Sequence, residues 1–304
     1  MAWTKAELRD FAFYLGMRSL PVDWCSALGA RLAQGQAGRL SRPEAEARGR
    51  AAMALLRPDL ATPDRIEAST TALWGNIGRT FSEFSALPKL VALGRWRIID
   101  PVRLDALLAD PRPLIFAFVH LGNWEMVGAQ VALHPAFRTQ RRISGVIMPP
   151  NNRAHARIVQ LQRAHLPAEL IPMDAQLWRR ITEVLSQPNG TAWLAADELV
   201  GGVVMAPHFG RKLKPHGNMG KIIRLAAATG ARIQPVYSER LTGAHFLFHM
   251  LPTIEVPRGR LSAAALLAEV QGLDEMFAPV VRAHLDQWLW TVDLVSTPDD
   301  PIIG

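Results

Sequence analysis

Residues 114–125 read LIFAFVHLGNWE: an unbroken apolar run, then a histidine, a turn signal and a carboxylate. The run at 114–119 is too short for a helix, ends in a β-branched residue and follows Pro111 and Pro113. Apolar residues on both parities mean that neither face of the strand meets water, which is the mark of a central strand in a mostly parallel sheet. Gly122 then supplies the turn, and Asn123 is placed to cap a helix beginning at Trp124. Glu125 falls in the first helical turn. His120 therefore stands at the carboxyl end of a buried strand, where open α/β sheets gather their ligands.

Working outward, the same alternation repeats. Strands are expected at 143–147, 192–195 and 233–237, with helices at 124–133, 155–165, 178–185 and 219–229 between them. A strand at 246–251, joined through Thr242 and Gly243, is expected to be antiparallel, and 261–290 reads as a long helix. Residues 1–90 read as several short helices. Phe11, Tyr14, Leu15 and Met17 are expected on one face of the first, Ser41 as a cap before Pro43, and Thr62 as a cap before Pro63. The expected class is α/β, a mostly parallel central sheet flanked by helices, with a helical N-terminal region. No Gly-, Ser- or Pro-rich linker breaks the chain, so residues 1–304 are expected to form one domain, with 1–90 helical and 110–290 the α/β core.

Apolar residues make up 49% of the 304 and charged residues 20%, a balance that excludes a disordered chain. The single cysteine, Cys25, excludes a disulfide framework and a cysteine metal cluster; its apolar surroundings place it in the core. The net charge of +7 favours polyanions. Its arginines are scattered, with one modest cluster at Arg211, Lys212 and Lys214, rather than drawn into the stripe or arm of a nucleic-acid binder, so no nucleic-acid partner is expected. No apolar run reaches the ~18 residues of a spanning helix, and the N-terminus lacks a cleavable signal pattern.

The pair His120 and Glu125 is five residues apart across a turn, so the two side chains can converge. A carboxylate on one imidazole nitrogen fixes the tautomer, and the other nitrogen can then take a proton from a hydroxyl. By itself this pattern suits a transferase, a hydrolase, half a metal site or a satisfied core histidine. A serine hydrolase would want a G-x-S-x-G elbow, and the sequence has none.

HLGNWE resembles the H-x4-D/E motif of the bacterial lipid A biosynthesis late acyltransferases, within the lysophospholipid-acyltransferase-like superfamily. The mycobacterial phosphatidylinositol mannoside acyltransferases are similar in arrangement. The resemblance covers roughly residues 110–290. PPNNRAHARIVQLQR matches a segment in which an Asn precedes a helix with a functional Arg, which points to Asn152 and Arg163. An arginine expected just after the preceding strand is replaced by Met148 and Pro149. GTAWLAADELVGG matches a strand and loop carrying Asp-x-Asp, of which Asp197 is the first acid and Leu199 replaces the second. DQWLW matches the Gln-Trp-x-Trp close at Gln287–Trp290, without the basic motif that often follows.

The resemblance implies an O-acyltransferase moving a fatty acyl chain from a thioester to a hydroxyl of a membrane lipid like the lipid A precursor. His120 would be the general base and Glu125 its orienter. Arg163, with Asn123 and Asn152 nearby, would bind oxyanion or phosphate, and Asp197 would position Arg163 or the acceptor. No metal and no bound cofactor are implied. The donor would be an acyl carrier protein or coenzyme A thioester. The enzyme would sit peripherally on the cytoplasmic face of the inner membrane, held at its anionic surface by the net charge and by an amphipathic first helix carrying Trp3, Phe11, Phe13 and Tyr14. Two alternatives are an acyltransferase for another lipid (a glycolipid, ornithine lipid or lysophospholipid) and a non-catalytic lipid-binding protein.

Overall fold

The computed structural model describes residues 3–36, 38–148, 150, 152–164 and 166–303, and of Val127 only the backbone. Pro149, and the expected helix end at 165, lie outside the described residues. Five helices come first: α1 (Lys5–Ser19), α2 (Val22–Gln34), α3 (Pro43–Leu56), α4 (Pro63–Ser85) and α5 (Leu87–Ala92). The alternating part follows as β1 (Trp96–Ile98), α6 (Pro101–Ala109), β2 (Leu114–Phe118), α7 (Trp124–Leu133), α8 (Ala136–Thr139), β3 (Arg142–Ile147), α9 (Arg153–Arg163), β4 (Ala168–Pro172), α10 (Leu177–Leu185) and β5 (Gly190–Ala195). A hairpin of β6 (Leu199–Val200) and β7 (Val203–Val204) leads to α11 (Asn218–Thr229), β8 (Arg232–Arg240), β9 (Phe246–Met250) and α12 (Ala263–Ala283).

The sheet order is β1-β9-β8-β2-β5-β3-β4, and only the β8–β9 pair is antiparallel. The α/β class with a mostly parallel sheet and a helical N-terminal region is thus as the sequence predicts. β2 lies in the middle, and its side chains alternate between two apolar layers, as a period of two requires. Ile115 and Ala117 pack with α3, α11 and α12 on one face. Leu114, Phe116 and Phe118 pack with α6 and α7 on the other. A third apolar cluster, with Met17, Cys25, Leu87 and Met126, joins the N-terminal helices to α7.

Some local expectations are corrected. β4 and β1 are missed by the sequence because their residues alternate weakly, and exposed Glu169 interrupts the β4 pattern. The expected cap Ser41 ends a 3-10 turn instead; α3 starts at Pro43 without a side-chain cap. The 261–290 helix stops at Ala283, and Leu289–Asp293 forms a 3-10 turn. On α1, Tyr14 and Met17 are buried while Leu15 faces outward.

Candidate active site

Parallel register sets the centre of the site. Phe118 on β2 lies opposite Ala195 on β5, and both strands end there, so the residues two further on, His120 and Asp197, meet above the sheet edge. Asp197 is fully buried, and its carboxylate is used three ways. Oδ1 lies 2.7 Å from His120 Nδ1, while Oδ2 accepts the His120 backbone N–H at 2.8 Å and the Trp288 indole N–H at 2.8 Å. A carboxylate oxygen only accepts, so Nδ1 carries the hydrogen, and in the neutral ring Nε2 then presents a lone pair. Among the described residues nothing hydrogen-bonds to Nε2. The ring is one-fifth exposed and packs against Phe118, Trp124 and Trp290 at centroid distances of 5.4, 5.0 and 5.4 Å.

The expected orienting role of Glu125 is therefore corrected: Asp197, not Glu125, holds the imidazole. Glu125 instead receives both its hydrogen bonds from Nη2 of Arg163, at 2.7 and 2.8 Å. Asp197 does not position Arg163, because its oxygens are taken by His120 and Trp288. Glu125 starts α7 and Arg163 ends α9, so this ion pair ties two helix termini together beside the histidine. Asn123 caps α7 through Met126 N–H, and Asn152 caps α9 through His155 N–H. Asn152 thus lies at the opposite end of α9 from Arg163.

The turn that carries His120 is held from three directions. Gly122 has φ +62°, and a Cβ there would stand 2.3 Å from the Ser238 carbonyl oxygen, so only glycine fits. Gly122 N–H donates to Gln287 O and Leu289 N–H donates to His120 O, which makes the Gln287–Trp290 segment a wall of the site. Behind it, Glu83 on α4 and Arg240 on β8 form a buried ion pair with contacts of 2.6 and 2.8 Å. Asn123 Nδ2 donates to Glu83, and Thr80 donates to Gly122 O. The N-terminal helices thereby grip the turn that carries His120 directly. Glu83, Arg240 and Trp288 escape a sequence reading because they lie on elements far apart in the chain; the matched strand ends alone could have paired Asp197 with His120.

An apolar cavity of about 90 Å³ opens beside this histidine, between α7 and the sheet face of β5, β3 and β4. Phe118 and Trp124 line it, as do Glu125 and Arg163.

The family described as bacterial lipid A biosynthesis acyltransferase matches residues 10–294. Two similar proteins are phosphatidylinositol mannoside acyltransferases of Mycobacterium tuberculosis, strains ATCC 25618 / H37Rv and CDC 1551 / Oshkosh. Each is 26% identical to this chain over 251 residues, covering 78% of this chain and 74% of the relative.

Proposed function

This chain belongs to the bacterial lipid A biosynthesis acyltransferase family and is an acyltransferase; from that premise we propose that it moves a fatty acyl chain from a thioester to a hydroxyl of a glycosylated membrane lipid. The observation that carries the reading is the Asp197-held His120 with its Nε2 unengaged. Nε2 takes the hydroxyl proton as the acceptor oxygen attacks the thioester carbonyl. The tetrahedral oxyanion then collapses, expelling the thiolate, and the imidazolium returns the proton to that sulfur. Asp197 stabilises the imidazolium between the two transfers. General-base assistance of this kind is worth about 10²–10⁴-fold. The backbone N–H groups opening α7 and the guanidinium of Arg163 face the developing charge or a lipid phosphate. Glu125 keeps Arg163 in place rather than acting on the histidine.

A sugar-bearing acceptor is the common ground between lipid A precursors and the mannosides named for the relatives. The donor is an acyl carrier protein or coenzyme A thioester. In this reading attachment is peripheral; no described helix is long and apolar enough to cross a membrane. On the first helix Trp3, Phe11 and Tyr14 pack on one another, at 5.0 and 5.6 Å, while Phe13 is exposed together with Leu8 and Leu15. α2 has exposed Trp24, Leu28 and Leu32 on one stripe. Exposed Phe81 sits edge-on to Trp124 beside the site. An anionic cytoplasmic leaflet would attract the net charge of +7.

The test supplies purified protein with labelled acyl thioesters and a membrane lipid extract, and reads products by mass spectrometry. One lipid class gaining a single acyl mass is expected; no transfer to any class would sink the reading. Co-flotation with anionic vesicles, weakened by Trp24→Ser, is expected in parallel.

A further inference from the structure

The larger of the two cavities takes no part in the acyl-transfer reading. It holds about 570 Å³, the size of a small-molecule site, and lies between the loop after β7 and one face of α12. The His208 ring bridges Asp274 Oδ1 and the Lys214 backbone N–H, at 2.8 and 3.0 Å, so this loop is fastened at both ends. Ile303 N–H donates to Phe209 O, and Gly210, with φ +80°, lies so close that a Cβ there would stand 2.7 Å from Ile303 Cβ.

Two arginines line the cavity, and neither has a carboxylate within 4 Å among the described residues. Arg211 is only 5% exposed. Its Nε and Nη2 donate to His208 O and Pro207 O, at 2.9 and 3.0 Å, and its Nη1 has no hydrogen bond among the described residues. Burial pushes the Arg211 guanidinium down, although Asp300 and Asp274 draw it the other way. A buried cation is ordinarily matched by a close anion, and here the cavity occupies the place for one. Arg282 is half-buried and lies over the Phe209 ring at 6.0 Å; its hydrogen bond, to Ile303 O, is long at 3.4 Å. Phe209 stands two residues before Arg211, so both guanidiniums belong to the same side of the cavity. The acids on the opposite wall are otherwise used. Asp274 Oδ1 takes both His208 bonds, and Glu275 accepts from Gln271 at 2.8 Å on the exposed rim, about 10 Å along α12 from Arg282.

We propose that this cavity binds a phosphate group, held by Arg211 and Arg282 and separate from the proposed acyl-transfer centre. Guanidinium suits phosphate because its paired N–H donors match two oxygens and its charge survives desolvation. The cavity is larger than a bare phosphate, so the ligand is a phosphate ester whose organic part lies on Phe209, Leu213 and Ala278. A lipid headgroup and a soluble phosphate ester both supply that chemistry. Binding is read directly and does not depend on acyl transfer.

Calorimetric titration of the whole chain uses two probes: inorganic phosphate, and dihexanoyl phosphatidic acid below its micelle concentration. Arg163→Gln, which removes the guanidinium beside His120, is expected to retain saturable binding. Arg282→Gln is expected to weaken it about 10–10²-fold, and to abolish the rise in Tm that the probe gives the unaltered chain. Arg282 is half-buried, so this variant reads the site even if replacing Arg211, which holds two carbonyls, unfolds the loop. Binding of phosphatidic acid that phosphate does not displace supports the site as one for a lipid headgroup. Displacement at similar concentrations supports it as one for a soluble phosphate. Equal weak binding by all variants means an adventitious ion only, and overturns the proposal. Loss in Arg163→Gln with Arg282→Gln unaffected sends the phosphate to the acyl-transfer centre and overturns it as well.

Discussion

Two histidines in this molecule are held in nearly the same way, and of the two only His120 keeps a ring nitrogen unengaged among the described residues. His120 gives its backbone N–H and Nδ1 to Asp197; His208 gives both to Oδ1 of Asp274, each at 2.8 Å. The difference is at the far nitrogen. Nε2 of His208 accepts the Lys214 backbone N–H at 3.0 Å, and the residue is 2% exposed. Nε2 of His120 has no such bond among the described residues, and its ring is one-fifth exposed. The larger cavity, about 570 Å³, in fact borders His208. The proposed base is therefore chosen by its unengaged nitrogen and not by cavity size. The pair at His208 pins the loop after β7 to α12, while in the proposed mechanism the pair at His120 prepares a proton acceptor.

The largest effect that separates the two is on turnover. His120→Ala is expected to lower acyl transfer by about 10²–10⁴-fold with folding intact. His208→Ala is expected to leave kcat within a few-fold but to lower stability by about 1–3 kcal/mol, since it removes a ring hydrogen bond to a buried carboxylate and leaves the Lys214 N–H without its acceptor. Steady-state transfer and thermal unfolding of both variants read the contrast. Next comes the support behind the catalytic turn. Glu83→Gln leaves Arg240 buried without its charge partner and is expected to cost about 3–5 kcal/mol in denaturant unfolding.

A smaller effect distinguishes the carboxylate the sequence pointed to from the one the fold uses. Glu125→Gln is expected to reduce transfer by up to about 10²-fold through displacement of Arg163, leaving the shape of the pH–rate profile unchanged. A displaced acidic limb, where protonation of the base removes activity, would put Glu125 back on the imidazole. The smallest effect is a control. Burial pushes the Cys25 thiol up to about 11, so it is expected to resist alkylation at pH 8 in every folded variant and to react on unfolding.

Much of the fold was legible because β2 has apolar residues on both parities and its neighbours alternate with helical stretches. His120 was legible for the same reason: it ends that strand. What the sequence misassigned was its partner. Glu125 is five residues away in the chain and Asp197 seventy-seven, and proximity in sequence favoured the wrong carboxylate. Strand ends in a parallel sheet lie level, so register outweighs chain distance here. Arg163 and Asn152 were found on the expected helix, at its two ends. Glu83 and Arg240 carry no local signal, because a buried ion pair between α4 and β8 exists only once both are packed.

Asp197→Asn tests the central claim most directly, since it keeps the shape and changes what the histidine receives. Asn can turn its oxygen to the His120 and Trp288 N–H groups, which presents its NH₂ to Nδ1. That forces the hydrogen onto Nε2 and leaves no lone pair for the acceptor hydroxyl. The expected result is a fall in kcat of about 10²–10⁴-fold with KM little changed, while Asp274→Asn retains turnover. Turnover by Asp197→Asn near that of the unaltered protein would contradict the account.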